Sequence, residues 1–558
     1  MFVWEDYSAS PFVTMHAARI RHADIVRILD ELRKLRPNGM KLQEVGKSYE
    51  GRAIFSVTMG NGPIKIFAWS QMHGNEPTHT AVLLDLIDLL QRHPEREISK
   101  SILTECTLIL VPMLNPDGAE RYIRRTAQDI DMNRDALHLA TPEGRLLRQL
   151  VEQNKPEFAF NLHNQQAGTS VDGFKPAVVS LLVPPIDLPD TQTEWTQKAK
   201  QVAAVMREAM QPHCEGMISR YDADFMPRCF GEWVQQQEIA TLTIEAGGWS
   251  TVDTGPLVQL HFVGMINALE CIANGCYVNA EAANYDSLPR SSDQQVFDVM
   301  VRSAHVVPGG GHKPFEADLG INYRHQDRSV PIERRGVIDD FGDLCLTGGK
   351  QEFTDKDLLC VPGKIVYLQS ITPKSLPTEA QAKELLSRGV TTIIGSVNLA
   401  DNAELEAFVG LSRTDQWPIN VGFVATANDL KPAELDEKLG QAIAAGILGL
   451  VTNDTAKTPA LLEWFKVPVL KTEELPSAEK QYSNIHELAD ATHDVAMRLG
   501  LRSRASIKLG TTADLLFYSA GAGESLSPNA LQRVMLGGRF VRDNGKFSEG
   551  VSGELLRR

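Results

Sequence analysis

Residues 64–90 read IKIFAWSQMHGNEPTHTAVLLDLIDLL and predict a buried strand, a polar loop and a helix in succession. The apolar run Ile64–Trp69 has the length of a strand that is buried on both faces. From Thr78 to Gln91 the apolar residues recur every three or four positions, which is the helical period. Pro77 stands in the first turn, where its missing N–H is tolerated. This succession is typical of an α/β domain.

The same alternation continues along the chain. Three further strands are expected at Thr107–Met113, Glu157–Leu162 and Ala240–Ile244. Two further helices are expected at Pro142–Asn154 and Trp195–Met210. Because strands that alternate with helices favour crossover connections, we predict an α/β fold with a mixed, largely parallel sheet and helices on both faces.

The pattern breaks in the polar stretch 274–295, where we place a domain boundary. Short strand-like runs follow, helix and strand then alternate from Glu379 to about Leu499, and a β-rich stretch, Ala513–Phe547, comes last. At 558 residues the chain has room for two or three domains. We predict a catalytic domain over residues 1–285, a composite small β-sandwich from 290–372 and 500–558, and a reduced, barrel-like α/β domain at 373–499.

The composition limits the partners. The formal charge is −15, which argues against a nucleic-acid backbone or an anionic membrane surface. The N-terminal MFVWEDYSAS lacks the regions of a signal peptide, and apolar runs such as Ile443–Val451 are shorter than the roughly 20 residues of a bilayer span. Seven cysteines without a Cys-x-x-Cys pair are typical of reduced, mostly buried thiols. We therefore expect a cytoplasmic protein with no nucleic-acid or membrane partner.

Polar residues follow four of the apolar strands directly. The segments are WSQMHGNEP (69–77), MLNPDG (113–118), FNLHNQ (160–165) and TIEAGG (243–248). In open α/β sheets, ligands bind beyond the carboxyl ends of the strands. We therefore expect His73, Glu76, Asn115, His163 and Glu245 to meet at one edge of the sheet, although Asn-Pro-Asp-Gly is also strong turn chemistry for Asn115.

The residue types at these strand ends suit a catalytic metal site. His73 and Glu76 flank a Gly-Asn turn, and with the distant His163 they make a His₂Glu set for Zn²⁺ that leaves a fourth position open for water. Glu245 is a candidate general base and acid beside that water. The alternatives are that His163 is a hydrogen-bonded core residue and that Glu245 forms an ordinary ion pair at the end of its strand.

These residues carry a family resemblance. HGNE (73–76), NPDG (115–118), RRTAQDIDMNRD (124–135), FNLH (160–163) and TIEAGG (243–248) resemble, in this order, the zinc metallocarboxypeptidases of the carboxypeptidase A type. The resemblance covers about residues 20–275. It implies the α/β fold of that family, one zinc ion held by His73, Glu76 and His163, and Glu245 as the general base and acid.

The resemblance also implies roles for five charged or polar residues. Arg124 resembles the arginine that polarises the scissile carbonyl, and its neighbour Arg125 is the rival for that role. Asn133 and Arg134 resemble the pair that binds the terminal carboxylate of the substrate. Asp131 resembles the carboxylate that orients a zinc-binding histidine.

Two positions depart from the family pattern. Asn161 stands where family members commonly carry aspartate. The tyrosine that caps the substrate has no clear counterpart, since Tyr221 is nearest but the spacing to GEW (231–233) favours Asp224 or Phe225. These departures leave the substrate class open.

The C-terminal half resembles a second family, the amidohydrolase superfamily. The segments are 296–321, 361–365, 385–395 and 509–541. The stretch PGKIVYLQSITP lacks the His-x-His pair that active members carry there, and His486 and His493 are roughly 10 Å apart along a helix. We therefore expect this half to be catalytically inactive and to act structurally, for example as a homo-oligomer interface.

The expected function is hydrolysis of an amide bond next to a free carboxylate in a peptide or small amino-acid conjugate. An N-acyl amino acid deacylase, resembling the succinylglutamate desuccinylase and aspartoacylase branch, is the second possibility. A non-catalytic metal-binding scaffold is the third.

Overall fold

A computed structural model describes all residues except 1, 11–12, 14–16, 222–223, 250–254, 293, 326–333, 355–357, 412–418, 428–429, 431, 453–461, 463–464, 478–479, 502, 505–506, 509–510, 520–529, 537–538, 544–545, 548–554 and 557–558. The chain divides into two compact units. The first contains Met1–Phe297, His325–Arg334 and Leu346–Lys350, and the second contains Asp298–Arg324, Arg335–Cys345 and Gln351–Arg558.

The first unit is built on eight strands. They are β1 (Lys41–Lys47), β2 (Ala53–Met59), β3 (Ile64–Ser70), β4 (Cys106–Val111), β5 (Phe158–Asn164), β6 (Val179–Leu182), β7 (Ile218–Arg220) and β8 (Ala240–Ala246). The helices are α1 (His22–Leu35), α2 (Thr78–Arg92), α3 (Glu97–Glu105), α4 (Pro116–Arg121), α5 (Pro142–Asn154), α6 (Glu194–Met210), α7 (Phe230–Gln235), α8 (Gly255–Ala273) and α9 (Ala283–Asp286).

The eight strands form one mixed sheet in the order β1-β2-β4-β3-β5-β8-β6-β7. The central strands β4, β3, β5 and β8 are parallel, so their carboxyl ends meet at one edge. β1, β2 and β4 pair antiparallel, and β6 pairs antiparallel to β8. This arrangement confirms the predicted mixed α/β class for the first unit.

Helices cover both faces of this sheet because side chains alternate along each strand. In β3, Ile66 and Ala68 belong to a core shared with α2, α6 and α8. Phe67 and Trp69 point the other way, into a core shared with α5 and α7. The apolar stretch Ile66–Trp69 follows from this burial on both sides, whereas Lys65 near the start of the strand is exposed.

We expected no segment long and apolar enough to span a membrane, but helix α8 (Gly255–Ala273) has that length and composition. Most of the helix is buried in the core that it shares with α2 and α6, which accounts for its apolar composition.

The expectation of reduced thiols is wrong for two cysteines. Cys271 and Cys276 form a disulfide, with their Cα atoms 5.0 Å apart. Cys271 lies in the last turn of α8, and Gly275, at φ +72°, turns the chain back so that Cys276 reaches it. The other cysteines are free thiols, of which Cys345 is exposed.

The second unit contains two sheets. Its strands are β9 (Phe297–Val306), β10 (Phe315–His325), β11 (Arg334–Gly342), β12 (Gly349–Thr354), β13 (Leu358–Pro362), β14 (Lys364–Tyr367), β15 (Val390–Asn398), β16 (Asn420–Thr426), β17 (Leu450–Val451), β18 (Val469–Leu470), β19 (Leu515–Ser519), β20 (Leu531–Leu536), β21 (Arg539–Asp543), β22 (Lys546–Phe547) and β23 (Leu555–Leu556). Its helices include α10 (Glu379–Ser387), α11 (Asn402–Gly410), α12 (Pro432–Ala444) and α13 (Ile485–Arg498).

One sheet of this unit joins distant parts of the sequence. Its order is β11-β10-β9-β13-β19-β20-β21-β22, with β12 beside β9. The other sheet is parallel, in the order β14-β15-β16-β17-β18, with β23 beside β16. Tyr367 of β14 also forms an isolated parallel bridge with Ser477, which follows β18 in the chain. The reduced barrel-like domain stays a prediction. Residues 520–529, inside the predicted stretch Ala513–Phe547, lie outside the described residues.

Candidate metal centre

The loop between β3 and α2 presents His73 and Glu76 at the edge of the sheet. It begins at Gln71, whose φ of +55° turns the chain sharply at the end of β3. Glu76 N–H donates to the His73 carbonyl at 3.1 Å, which closes the turn through Gly74 and Asn75. Pro77, which the sequence placed in the first turn of α2, is the N-cap residue directly before that helix. The loop is therefore a tight turn that aims both side chains in one direction.

His73, Glu76 and His163 form one buried cluster, with exposed fractions of 1%, 5% and 2%. His73 Nδ1 lies 2.8 Å from Glu76 Oε1, and His163 Nδ1 lies 2.7 Å from Glu76 Oε2. One donor atom from each residue lies within 4.8 Å of the other two. Two imidazole nitrogens and a carboxylate at this separation fit the His₂Glu set of a catalytic zinc site.

The charges within this cluster are strongly coupled. Burial alone would lower the pKa of His73, but the Glu76 and Asp131 carboxylates raise it to about 9. Burial would likewise raise the pKa of Glu76, yet His73 and His163 hold it well below its usual range. Burial lowers the pKa of His163, and the Glu76 charge opposes this only in part. At neutral pH the protein alone thus has a protonated His73 beside an ionised Glu76.

Glu245 stands next to this cluster on the neighbouring strand. The register pairs His163 of β5 with Glu245 of β8, so both side chains lie on the same face. Burial and the Glu76 charge raise the pKa of Glu245 to about 8. No residue within the described part of the chain donates a hydrogen bond to its carboxylate. The ion pair considered as an alternative for Glu245 is therefore not seen among the described residues.

Arg124 and Asp131 complete the cluster on its open side. The Arg124 guanidinium donates from Nη1 to Glu76 Oε1 at 3.2 Å and from Nε to Asp131 Oδ2 at 3.1 Å. Asp131 Oδ1 lies 3.1 Å from His73 Nε2, so the carboxylate orients that ring. Arg125 instead donates to the Asp129 carbonyl at 2.8 Å and is more than half exposed. Of the two rival arginines, Arg124 alone contacts the cluster within the described residues.

Asn133 and Arg134 lie on a short 3₁₀ turn, Met132–Arg134, directly after Asp131. Asn133 N–H donates to Asp131 Oδ1 at 3.0 Å, and its side-chain oxygen accepts from the N–H of Phe230 at 3.0 Å. The exposed Arg134 donates to the Cys229 sulfur at 3.0 Å. The turn thus connects the cluster to the start of α7.

Two asparagines, Asn115 and Asn164, support the loop that carries His73 and Glu76. Asn115 caps α4 through Gly118 N–H and donates to the Met72 carbonyl at 3.1 Å. Gly118 packs so closely against Gly74 that a Cβ on Gly74 would approach its carbonyl carbon to 2.0 Å. The NPDG segment (115–118) therefore holds in place the loop between β3 and α2, called the metal loop below. This agrees with the turn predicted for NPDG.

Asn164 holds the other side of the same loop. Its backbone N–H donates to Glu76 Oε2 at 3.2 Å. Its side chain donates to Thr78 Oγ1 at 2.6 Å and accepts from Thr78 N–H at 3.3 Å. An asparagine directly after the strand-end histidine was the available signal for this contact.

The positions that depart from the family pattern lie around the cluster. Asn161 donates to Thr243 Oγ1 at 3.1 Å and, among the described residues, makes no hydrogen bond to the loop that carries His73 and Glu76. Burial, with the nearby charge of Glu245, raises the pKa of Tyr221, which places this tyrosine within electrostatic range of the cluster. Asp224 is exposed and Phe225 half-buried, and the two residues between Tyr221 and Asp224 lie outside the described residues.

Part of the chain that carries this cluster matches a known protein family. Residues 25–174 match the zinc carboxypeptidase family. The matched range holds the three residues of the cluster together with Arg124 and the 131–134 turn, whereas Glu245 lies beyond it. The match agrees with the carboxypeptidase resemblance over these residues. It ends before residues 290–558, whose amidohydrolase resemblance stays a prediction.

Individual relatives are similar over short stretches. Carboxypeptidase 2 of Trichophyton rubrum is 31% identical over 140 residues, which are 23% of this chain and 26% of that protein. Carboxypeptidase D of Mus musculus is 33% identical over 93 residues, 15% of this chain and 7% of that protein. The chain thus spans about a quarter or less of the length of these relatives.

Solved carboxypeptidase structures resemble about half of the chain. A metallo-carboxypeptidase from Burkholderia cenocepacia is 17% identical with a TM-score of 0.37, and the alignment covers 46% of this chain and 69% of that one. Carboxypeptidase A from Helicoverpa armigera is also 17% identical, with a TM-score of 0.36. The alignment covers 50% of this chain and 78% of that one.

Proposed function

We propose that this protein is a zinc-dependent hydrolase that cleaves the amide bond next to a free carboxylate in a peptide or small amino-acid conjugate. The observation that carries the proposal is the convergence of two imidazole Nδ1 atoms on the two oxygens of one buried carboxylate. A second carboxylate, Glu245, stands on the adjacent strand in register with His163. This combination supplies both a metal site and a proton carrier.

The residues that would hold one zinc ion are His73, Glu76 and His163. Their donor atoms are nitrogen and carboxylate oxygen, the types that zinc prefers in catalytic sites. When bound, the ion would act as a Lewis acid and lower the pKa of a water molecule towards 7. Asp131 holds the His73 ring through Nε2, which leaves Nδ1 for the metal.

Glu245 would take the proton of the attacking water and return it to the departing amine. Its carboxylate accepts no hydrogen bond from the described residues. Its raised pKa, about 8, suits a group that must both accept and give a proton near neutral pH. A bound dication would lower this value and favour the ionised, proton-accepting form.

Arg124 would stabilise the negative charge that develops on the scissile carbonyl oxygen. Its guanidinium stays charged, and its contacts with Glu76 and Asp131 hold it at the open side of the cluster. Preorganised donors at a developing oxyanion are commonly among the largest catalytic contributions.

Asn133 and Arg134 would bind the free carboxylate of the substrate. Arg134 is exposed, and its contact with the Cys229 thiol is a weak hydrogen bond that a carboxylate can replace with a bidentate pair. Recognition of a terminal carboxylate here favours cleavage at the end of a chain.

The decisive experiment compares three substrate sets on zinc-loaded and chelator-treated protein. The sets are dipeptides with a free carboxylate, the same dipeptides amidated, and N-acyl amino acids. Zinc-dependent release of a C-terminal residue from the first set supports the proposal. Turnover of the third set alone would identify a deacylase, and stoichiometric zinc without turnover of any set would identify a scaffold.

A further inference from the structure

Gln71, which the proposed mechanism does not use, occupies an unusual place at the start of the metal loop. It is 1% exposed and has a φ of +55°, a left-handed conformation that residues other than glycine seldom adopt. Its carbonyl accepts from Asn115 N–H at 3.0 Å, so the turn is tied to the NPDG segment. A backbone of this kind persists where its surroundings hold it firmly.

The side chain of Gln71 joins the middle of the loop to the first turn of α2. Its Nε2 donates to the Gly74 carbonyl at 2.9 Å, between His73 and Glu76. Its Oε1 lies 2.8 Å from Thr80 Oγ1 in the first turn of α2, and the single Thr80 proton is shared with the Pro112 carbonyl at 2.8 Å. One amide therefore spans the loop from residue 74 to residue 80.

We propose that Gln71 is a positioning residue of the metal centre, which sets the separation of His73 and Glu76 through its two side-chain hydrogen bonds. The inference rests on the zinc site of the proposed function. Gln71 does not touch the cluster itself. It contacts the Gly74 carbonyl, which lies between the two proposed ligands, and Thr80 in the first turn of α2, which follows Glu76.

The test is Gln71→Met. The methionine side chain has nearly the same length as that of glutamine, is under the same left-handed backbone constraint at this position and makes neither hydrogen bond. The matched control is Gln91→Met. Gln91 is also buried, lies at the far end of α2 and donates to the Leu32 carbonyl at 2.9 Å. Zinc affinity is measured by competition with a chromogenic chelator, and thermal unfolding is followed on the zinc-free proteins.

We expect Gln71→Met to raise the zinc dissociation constant at least ~10-fold and to lower kcat with little change in KM, as partners of metal ligands typically do. Gln91→Met should leave the dissociation constant within about twofold while lowering thermal stability, since it removes a hydrogen bond remote from the loop. Equal zinc affinity in the two variants would overturn the inference.

A second variant separates the amide from the backbone. Gln71→Gly accepts φ +55° without strain but lacks the side chain, so we expect the same weakening of zinc binding as in Gln71→Met. If the glycine variant binds zinc as tightly as the wild type, backbone conformation and not the amide positions the ligands. If the wild type binds no zinc, the proposed metal site is wrong and this inference is wrong with it. If the wild type binds zinc and both variants have the same zinc dissociation constant as the wild type, only this inference is wrong.

Discussion

His163 and Glu245 are direct partners in the register of two adjacent parallel strands, β5 and β8. Neighbouring strands lie roughly 4.8 Å apart, and partners in register point to the same face. The backbone ladder therefore sets the distance between the imidazole proposed to bind the metal and the carboxylate proposed to carry the proton. Either side chain can be changed without breaking that ladder.

Glu245→Gln should retain stoichiometric zinc and lose turnover. The amide is nearly isosteric with the carboxylate but cannot carry a proton, so we expect kcat to fall at least ~10²-fold with little change in KM. Steady-state kinetics and metal analysis on the same preparation measure both effects. A near-normal kcat would mean that another group is the base.

Arg124→Lys and Arg125→Lys should differ sharply. Lysine cannot reproduce the two contacts that Arg124 makes with Glu76 and Asp131, and we expect kcat to fall about 10²-fold. Arg125 contacts Asp129 away from the cluster, so its variant should stay within about twofold of the wild type. The opposite order would assign the oxyanion role to Arg125.

Arg134→Lys should raise KM for substrates with a free carboxylate by roughly tenfold or more, because a planar fork is lost. Amidated versions of the same substrates should be spared. KM for each member of such a pair is the measurement. If both members respond equally, the carboxylate is recognised elsewhere.

Zinc binding should release protons at pH 7. His73, with its pKa raised to about 9, is charged there and must lose its proton to become a ligand. Glu245, at about 8, is largely protonated and ionises beside a dication. Apparent zinc affinity should therefore rise with pH and level off above about 9.

Calorimetry in buffers of different ionisation enthalpy counts these protons. We expect between one and two protons per zinc for the wild type and about one for Glu245→Gln, since the amide has no proton to give. An affinity that is flat between pH 6 and 8 would contradict the protonation of His73.

The His73→Ala/His163→Ala double variant should hold no tightly bound metal. Among the described residues, His73, Glu76 and His163 make the one group of three His, Cys, Asp or Glu side chains placed to bind an ion. Metal analysis of the full-length variant, with circular dichroism to verify its fold, tests this. Stoichiometric metal in the double variant would show a second centre elsewhere in the chain.

The strand and helix on either side of the metal loop could be predicted because the apolar period and the position of proline indicate the same boundaries. The expected Ile64–Trp69 and Thr78–Gln91 are observed as Ile64–Ser70 and Thr78–Arg92, where apolar period and proline placement coincide. The edge strand Lys41–Lys47 was missed because it is largely exposed and polar, so it lacks an apolar alternation. Tertiary pairing with β2 makes it a strand.

The proposed ligands could be named from sequence because parallel strands deliver their ends to one edge. The choice between Arg124 and Arg125 could not be made, since it depends on how α4 ends. Tyr122 caps that helix in a left-handed conformation, φ +50°, and so redirects the residues that follow. Gln71 was missed because a buried amide has no sequence pattern, and its contacts exist only in three dimensions.

The large sheet of the second unit has a consequence for synthesis. β13 ends at Pro362, and one of its two edges is covered by β19, which begins at Leu515. At ~5–20 residues per second, a ribosome needs roughly 8 to 30 seconds to make the intervening chain. During that interval the β13 edge of the nascent polypeptide is open to pairing with other chains, which is when a chaperone would protect it most.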